Sequence, residues 1–413
     1  MSPDHDRQAT YGEVLAVPEF RALFLSRILA ISAATLRILA VSVLVLATTG
    51  SPLMAGIAFG VGFLPQVVGG MTLISLADRL RPRPALVLGS LLEASAALVV
   101  ALVPMPAWAL LLLLAGVAAL TPVFTAAASG LLPTLLTGDR YVLGRSVLVL
   151  TSSAAQVVGL GVGGLVLAVL APRDVLLVVA GLHLAAGVMS RLLLADRPAR
   201  VTDRSTGAVR ATWTGNRALF RDHAVRGQLL AQAVPPSLVT GAEGLVVAYV
   251  AQVGLPSSAA GLLLACVPVG MGLGNLAVGR WCAPARRERL SRPLLVALGG
   301  PLVLMALRPP LPVAALLLFL AGAGLAYELG IQRRFLEVVP EPLRGQAFGL
   351  VGTLVMFGQG VGPVVAGAVA SLWSPSLAMG VTGAAVLMTG LALGPHLVPE
   401  PRPSSATGVS TGR

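Results

Sequence analysis

Five charged residues and one histidine lie inside long apolar stretches of the chain, where ionisable side chains are rare. They are Arg27, Arg37, Glu93, His183, Glu243 and Glu328. A charge placed in hydrocarbon is costly, so such a residue usually pairs with an opposite charge, faces a polar cavity or carries protons. These six residues are therefore the first candidates for chemistry in this sequence.

Two of the arginines occupy different depths of the first apolar stretch. Arg37 lies about 15 residues into it, or about 23 Å along a helix, which is too deep for its side chain to reach the headgroups. We expect Arg37 to face a cavity and to pair with an acid. Glu93, about 12 Å into a later stretch, could neutralise Arg37 or carry protons. Arg27 lies near the end of its stretch, which favours a headgroup anchor over a cavity residue.

The other three residues differ in how strongly they point to a function. Glu243 lies in the middle of its stretch, and Pro235-Pro236 just before it predict a kink. Glu243 is the best candidate for a proton carrier, with Glu93 as the alternative. Glu328 could act likewise or form an interfacial ion pair with Arg333, five residues later. His183 could shuttle protons, although a packing role is the more common one for such a histidine.

Twelve mostly apolar stretches hold these residues, and a helix needs about 20 such residues to cross a bilayer. Only 11% of the chain is charged, against about 25% in soluble domains, which excludes an ordinary soluble enzyme. We therefore predict an all-α membrane protein. Its spans, numbered 1 to 12, cover residues 22–47, 53–76, 85–103, 107–135, 142–170, 175–195, 228–252, 257–279, 293–307, 311–332, 347–371 and 377–397.

The arginines give the expected orientation of these spans. The chain has no lysine, and 25 of its 29 arginines fall on one side of the membrane if the N-terminus lies in the cytoplasm. Two arginines fall on the other side, and two lie inside span 1. The positive-inside rule then places both termini in the cytoplasm and the protein in the inner (plasma) membrane. The net charge of +12 follows from this topology, so we expect no nucleic-acid partner.

The chain also repeats weakly. Arg145, Gly159, Gly161 and Gly163 correspond, at a constant offset of 199 residues, to Arg344, Gly358, Gly360 and Gly362. Two repeated six-helix halves around a site near the bilayer midplane are a common transporter design. We predict a first half over 1–195, a cytoplasmic central linker over 196–226, a second half over 227–397 and a disordered cytoplasmic tail over 398–413.

The loop between spans 2 and 3 reads Ser-Leu-Ala-Asp-Arg-Leu-Arg-Pro-Arg-Pro over residues 75–84. It resembles the first signature of the major facilitator superfamily, G-x-L-A-D-R-x-G-R-R, although Ile74 and Arg81 replace two glycines. The resemblance extends over nearly the whole chain, and it is nearest to the twelve-helix drug, macrolide and siderophore exporters. It implies that Asp78, Arg79 and Arg83 form a cytoplasmic latch onto the second half; a simple positive-inside turn is the alternative.

Spans 5 and 11 carry glycine-rich segments at equivalent positions. Gly159, Gly163 and Gly164 resemble the antiporter signature G-P-x-x-G-G of the same superfamily, with leucine in place of its proline, whereas span 11 keeps a proline in Gly362-Pro363. The resemblance implies export by antiport. Close helix packing without any antiport role explains such glycines equally well.

Other kinds of site have no support in the sequence. Four scattered histidines and two cysteines predict no metal site, and the absence of lysine excludes a P-loop for ATP. We expect no cofactor and no enzyme activity, but a monomeric secondary transporter in contact with lipid that exports a small hydrophobic or amphipathic molecule in exchange for protons. Uptake or uniport of a small metabolite, or a non-transporting sensor or scaffold, are the alternatives.

Overall fold

The computed structural model describes residues 10–73, 80–137, 139–198 and 208–393, and every regular element in these ranges is a helix. Twelve of the described helices are long and apolar enough to cross a bilayer, which confirms the predicted all-α fold and the predicted order of the spans. Spans 1 to 12 are Pro18–Thr49, Pro52–Thr72, Pro82–Leu102, Ala107–Leu135, Leu143–Val169, Pro172–Leu193, His223–Gln252, Ser258–Trp281, Arg286–Leu307, Leu311–Val338, Glu341–Leu372 and Pro375–Ala392.

Two spans are interrupted, and two short helices lie outside the spans. Span 2 consists of Pro52–Gly60 and Leu64–Thr72, and span 10 consists of Leu311–Gly324 and Tyr327–Val338. Breaks in a membrane helix are tolerated where protein or a cavity surrounds the freed backbone groups. The short helices are Tyr11–Ala16 before span 1 and Ala208–Arg221 within the central segment. The expected tail over 398–413 lies outside the described residues.

The turn between spans 1 and 2 shows how the sequence sets the helix ends. Gly50 ends span 1 with a φ of +64°, a left-handed conformation that glycine adopts without strain. Ser51 then caps span 2, because its hydroxyl accepts a hydrogen bond from the Met54 N–H at 3.3 Å. Pro52 follows at the first helical position, where its missing N–H costs nothing. Turns of this kind reverse the chain sharply and set neighbouring spans side by side.

The outer surface is apolar, as expected for a chain surrounded by lipid. Leu165 is 72% exposed, and Val169 and Leu372 are each 81% exposed. Such apolar exposure on all sides of a helical bundle is unfavourable in water and favourable in hydrocarbon. Together with the twelve spans, it identifies a multi-pass membrane protein.

Two faces of the molecule can be defined from the spans alone. Successive spans alternate in direction, and odd-numbered spans run from the face that holds Tyr11 and His223. We call this the N-terminal face, and the face that holds the turn at Gly50 the opposite face. Spans 5 and 8 contact each other near the opposite face, where a Cβ on Gly164 would lie 2.7 Å from the Ser258 carbonyl oxygen.

Spans 2 and 11 form a second contact between the first six spans and the last six. A Cβ on Gly60 would lie 2.7 Å from the Gly360 carbonyl oxygen, and one on Gly367 would lie 2.9 Å from the Leu53 Cα. The backbones approach this closely because glycine has no side chain. We call the contacts of spans 5 with 8 and 2 with 11 the two seams. Both run along the half of the bundle near the opposite face.

Candidate functional site

A buried ion pair occupies the interior of the first six spans. Arg37 Nη2 on span 1 lies 3.5 Å from Glu93 Oε2 on span 3, and the two side chains are only 8% and 13% exposed. The Thr121 hydroxyl on span 4 donates a hydrogen bond to Glu93 Oε1 at 3.5 Å. The expected acidic partner of Arg37 is therefore Glu93, and the pair joins three spans.

The ion pair leaves hydrogen-bonding groups unused. Arg37 Nε, Glu93 Oε2 and His183 Nε2 are all buried, and none has a hydrogen-bond partner among the described residues. His183, on span 6, lines the same space as Glu93. Unsatisfied buried polar atoms cost stability, so their clustering in one place suggests a role beyond packing.

A cavity of about 930 Å³, including its open mouth, reaches this cluster. Its walls come from spans 1, 3, 4 and 6, so it lies within the first half of the chain. Glu93, Thr121 and His183 line one part of it, and Ile31, Leu86 and Phe124 make its walls largely apolar. Its largely apolar walls with a few polar groups are suited to a small molecule with an apolar body. We call it the inner cavity.

A second cleft lies between spans 1, 4 and 5 nearer the N-terminal face. It measures about 1080 Å³, including its open mouth, and shares Leu23, Arg27 and Ala128 with the inner cavity. Arg27 was expected to anchor at the headgroups, but its Nε donates a hydrogen bond to the Ser152 hydroxyl at 3.3 Å, inside the protein. The expectation for Arg27 came from its depth along the helix, and depth does not reveal whether a side chain faces lipid or the protein interior.

Glu243 is placed differently from Glu93. It is half-buried on span 7 and makes no hydrogen bond or ion pair with any described residue. Its neighbours on span 7 pack tightly on span 11, since a Cβ on Gly241 would lie 3.0 Å from the Gly362 oxygen and one on Gly244 would lie 2.6 Å from Pro363 Cβ. Glu243 therefore lies beside a tightly packed contact that adjoins one of the seams.

The ion pair between Glu328 and Arg333, one of the two alternatives for Glu328, does not form. Arg333 bonds instead to Glu288, with Nη2 at 2.8 Å from Oε2, and approaches Glu337 at 3.4 Å. The helix that forms the end of span 10 continues to Val338, beyond the predicted end at 332. The polar residues after Leu329 gave the appearance of an earlier helix end. Glu328 lies in the first turn after the break in span 10 and is half-buried.

The expected latch is described only in part. Asp78 and Arg79 lie outside the described residues. Arg83 lies 3.8 Å from Asp196 and donates a hydrogen bond to the Leu194 carbonyl oxygen at 3.4 Å. Both partners follow span 6, so Arg83 is bound within the first half in this conformation.

The glycine-rich segments act as packing surfaces in both halves. On span 5, Gly159 and Gly163 face span 1, with Cβ positions 3.0 Å from Thr35 Cβ and Leu36 Cδ1, whereas Gly164 faces span 8. On span 11, Gly362 faces span 7 and Pro363 contacts Gly56 of span 2. Each segment thus packs on the first span of its own half and on a span of the other half.

Sequence reasoning missed a group of uncharged polar residues in the second half. Gln332 Nε2 donates a hydrogen bond to Gln232 Oε1 at 3.2 Å, and the buried Gln232 Nε2 has no partner among the described residues. The Tyr327 hydroxyl bonds to the Ala231 carbonyl oxygen at 2.7 Å. Their signal in the sequence is that glutamine is uncommon in apolar spans, and it is weaker than that of a charged residue. Within the described residues, no group of histidine, cysteine or acidic side chains could hold a metal ion.

The sequence profile of the Major Facilitator Superfamily matches residues 23–327 and 240–413, which together span nearly the whole chain. The chain belongs to the Major Facilitator Superfamily. Proteins of this superfamily carry small molecules across membranes and are generally not enzymes. The chain is therefore a transporter of small-molecule substrates. No curated protein sequence matches the chain.

Solved structures of this superfamily share the fold. The nucleoside transporter NupG superposes with a TM-score of 0.73 at 13% identity, over 92% of this chain and 100% of that one. A bacterial homologue of the human lysosomal transporter Spinster, in an inward-facing and unoccupied conformation, superposes with a TM-score of 0.65 at 15% identity, over 94% and 95% of the two chains. At these identities the likeness establishes the fold, and the substrate has to be argued from this chain's own residues.

Proposed function

We propose that this superfamily member exports a small amphipathic molecule from the cytoplasm in exchange for protons. The observation that carries the proposal is Glu243, an acid within a membrane span with no described partner, beside the packing of spans 7 and 11. An unpaired acid inside the membrane is best explained by protonation, which removes its charge when the site is closed to water. Glu93 is the alternative carrier, and its pairing with Arg37 makes it the less suitable one.

The proposed cycle uses the two seams. If the N-terminal face is cytoplasmic, as the arginine distribution predicts, the seams close the outer side and the first-half cavities lie towards the cytoplasm. Substrate would enter from the cytoplasm as the proton leaves, the halves would rock to open the outer side, and substrate would leave there as the acid is protonated again. The latch formed by Asp78, Arg79 and Arg83 would close the cytoplasmic side in the second state.

The direction of transport rests on the glycine-rich segments. Gly159 to Gly164 and Gly362-Pro363 resemble the antiporter signature, which favours export. Uptake of a small polar solute is the second candidate. It is favoured by Gln232 and Gln332, whose amide groups supply hydrogen bonds suited to a polar ring or sugar, and NupG is a nucleoside transporter with this fold.

Everted membrane vesicles from a strain without its own drug pumps test the proposal. Compounds to which the expressed gene gives resistance are added to acidified vesicles, and a fluorescent pH indicator reports proton release. Export by antiport predicts that a substrate discharges the pH gradient, that Glu243→Gln abolishes the discharge, and that the exposed-site variant Glu341→Gln does not. Accumulation without any change of the gradient, or uptake only in right-side-out vesicles, would contradict it.

A further inference from the structure

The cleft between spans 1, 4 and 5 has a composition suited to one kind of ligand. It contains two arginines, Arg27 and Arg145, and the hydroxyl groups of Ser129, Tyr141 and Ser152. Among the described side chains that line it, none is acidic. Arginine stays protonated in proteins, so the walls of this cleft carry two permanent positive charges.

Arg27 is held by its Nε, which leaves its two terminal nitrogens available to a ligand. Its Nε donates to the Ser152 hydroxyl at 3.3 Å, and that hydroxyl in turn donates to the Leu148 carbonyl oxygen at 2.7 Å. This short chain fixes the guanidinium plane. The two terminal nitrogens of Arg27 make no hydrogen bond with a described residue, and such a paired edge is the geometry that binds a carboxylate or phosphate with two parallel hydrogen bonds.

Three described acids of the first half pair with other arginines. Glu13 pairs with Arg140 at 3.3 Å, Glu19 pairs with Arg197, and Glu93 pairs with Arg37. Arg145 makes no hydrogen bond or ion pair with a described side chain. The charge of this cleft is therefore not neutralised by the described acids around it.

The internal repeat supplies a contrast. Arg344 stands 199 residues after Arg145, at the start of span 11, as Arg145 stands at the start of span 5. Its Nη1 lies 4.0 Å from Glu341 Oε1, and its Nη2 donates to the Leu336 carbonyl oxygen at 3.0 Å. The terminal nitrogens of Arg344 thus face an acid and a carbonyl oxygen of its own half, whereas Arg145 lines a cleft.

We propose that Arg27 and Arg145 bind the anionic group, a carboxylate or a phosphate, of an amphipathic ligand whose apolar part extends into the inner cavity. The two spaces are adjacent, since Leu23, Arg27 and Ala128 line both of them. The walls beyond the junction, including Ile31 and Phe124, are apolar. This assignment rests on the proposed function, because it names the substrate class of the same transporter. A soluble anion and an anionic lipid headgroup share this chemistry.

Equilibrium binding to the purified protein in neutral maltoside detergent tests the assignment at pH 7. The probes are 4-phenylbutyrate, its neutral counterpart 4-phenylbutanol, and inorganic phosphate. The wild type is expected to bind the acid at least about tenfold more tightly than the alcohol. Arg27→Gln and Arg145→Gln should each remove about tenfold of the acid's affinity and leave the alcohol unchanged, and Arg27→Lys should have an intermediate effect because it keeps the charge but loses the paired edge.

Arg344→Gln is the matched control, and it should bind the acid like the wild type. Nanodiscs of phosphatidylcholine with or without phosphatidylglycerol distinguish the sources. If phosphatidylglycerol competes with 4-phenylbutyrate in the wild type but not in Arg27→Gln, the ligand is a lipid headgroup. If it does not compete, the ligand is a soluble anion. Equal affinity of the wild type for the acid and the alcohol would overturn the assignment. So would two arginine variants that keep the wild-type thermal midpoint and bind the acid as tightly as the wild type. Binding is measured without a pH gradient, so this failure is separate from a failure of proton coupling at Glu243.

Discussion

In the first half Arg37 and Glu93 form a buried ion pair, whereas in the second half Glu243 and Glu328 have no described partner. The glycine-rich segments, by contrast, serve both halves alike, since each packs on the first span of its own half and on a span of the other. The symmetric feature is the one that closes the seams, which both halves must build together. The charges differ between the halves, and this difference underlies our proposal that Glu243, and not the Arg37–Glu93 pair, carries the proton.

The largest effect is expected from breaking the buried ion pair. Replacing only one partner, as in Arg37→Ala or Glu93→Ala, leaves a charge buried without compensation and should lower the free energy of unfolding by about 3–5 kcal/mol. Thermal unfolding in detergent measures this loss. The double variant Arg37→Met with Glu93→Leu should recover most of it, because both charges are then removed. Equal losses in the single and double variants would contradict the pairing.

Glu243→Gln provides the opposite case in the second half. Because Glu243 has no described partner, the neutral amide leaves no charge uncompensated and should change the thermal midpoint much less than Glu93→Ala does. The two variants are measured side by side in the same detergent. A loss of stability at Glu243 as large as that at Glu93 would show that the two halves do not differ in this way.

Large side chains introduced at the seams should destabilise the conformation with closed seams, whichever half carries them. Gly164→Leu places a side chain where the Ser258 carbonyl oxygen lies 2.7 Å from the Cβ position, and the overpacking should cost about 1–3 kcal/mol in the conformation with closed seams. Gly360→Leu should have a similar effect, since its Cβ position lies 2.7 Å from Leu64 Cβ. In both variants, cysteines introduced along spans 5 and 8 should react faster with a water-soluble thiol reagent added from the opposite face.

Gly161→Leu is the matched control for the seams, because nothing lies within 4 Å of its Cβ position. It should leave both stability and accessibility unchanged. If Gly161→Leu opened the opposite face as much as Gly164→Leu, the effect would come from the helix itself and not from the contact between halves.

The smallest effect is expected at the surface. Arg81 lies 3.2 Å from Asp196 and is 62% exposed, so Arg81→Gln should change the free energy of unfolding by about 0–1 kcal/mol. Thermal unfolding at low and high salt measures it, and the small difference should vanish at high salt. A loss comparable to that of Arg37→Ala would mean that this loop contributes far more than an exposed ion pair does.

Much of the architecture could be predicted because it follows from the length of apolar runs. A span needs about 20 apolar residues, and the sequence shows twelve such runs with arginines concentrated on alternate loops. The end of span 10 was predicted too early for a physical reason. Helix Tyr327–Val338 continues on internal hydrogen bonds after the sequence has turned polar, so hydropathy underestimates where span 10 ends.

The site could be predicted only as a set of residue types. Arg37, Glu93 and Glu243 stand out because charges are rare in apolar runs, but which acid pairs with which base depends on how spans 1, 3 and 4 rotate about their axes. The role of Arg27 depends on the same rotation. A span that is apolar on all faces has no periodicity that would reveal this rotation. Gln232 and Gln332 carry no charge, and only their hydrogen bond at 3.2 Å draws attention to them.

Proton coupling at Glu243 is tested most directly by comparing two transport modes of one variant. Proteoliposomes of Glu243→Gln are loaded with a substrate from the resistance screen and assayed for exchange against labelled substrate and for accumulation driven by a pH gradient. We expect exchange to persist, because the seams and cavities remain, and gradient-driven accumulation to be lost. Accumulation at the wild-type rate in Glu243→Gln would contradict the assignment of the proton to the unpaired acid of the second half.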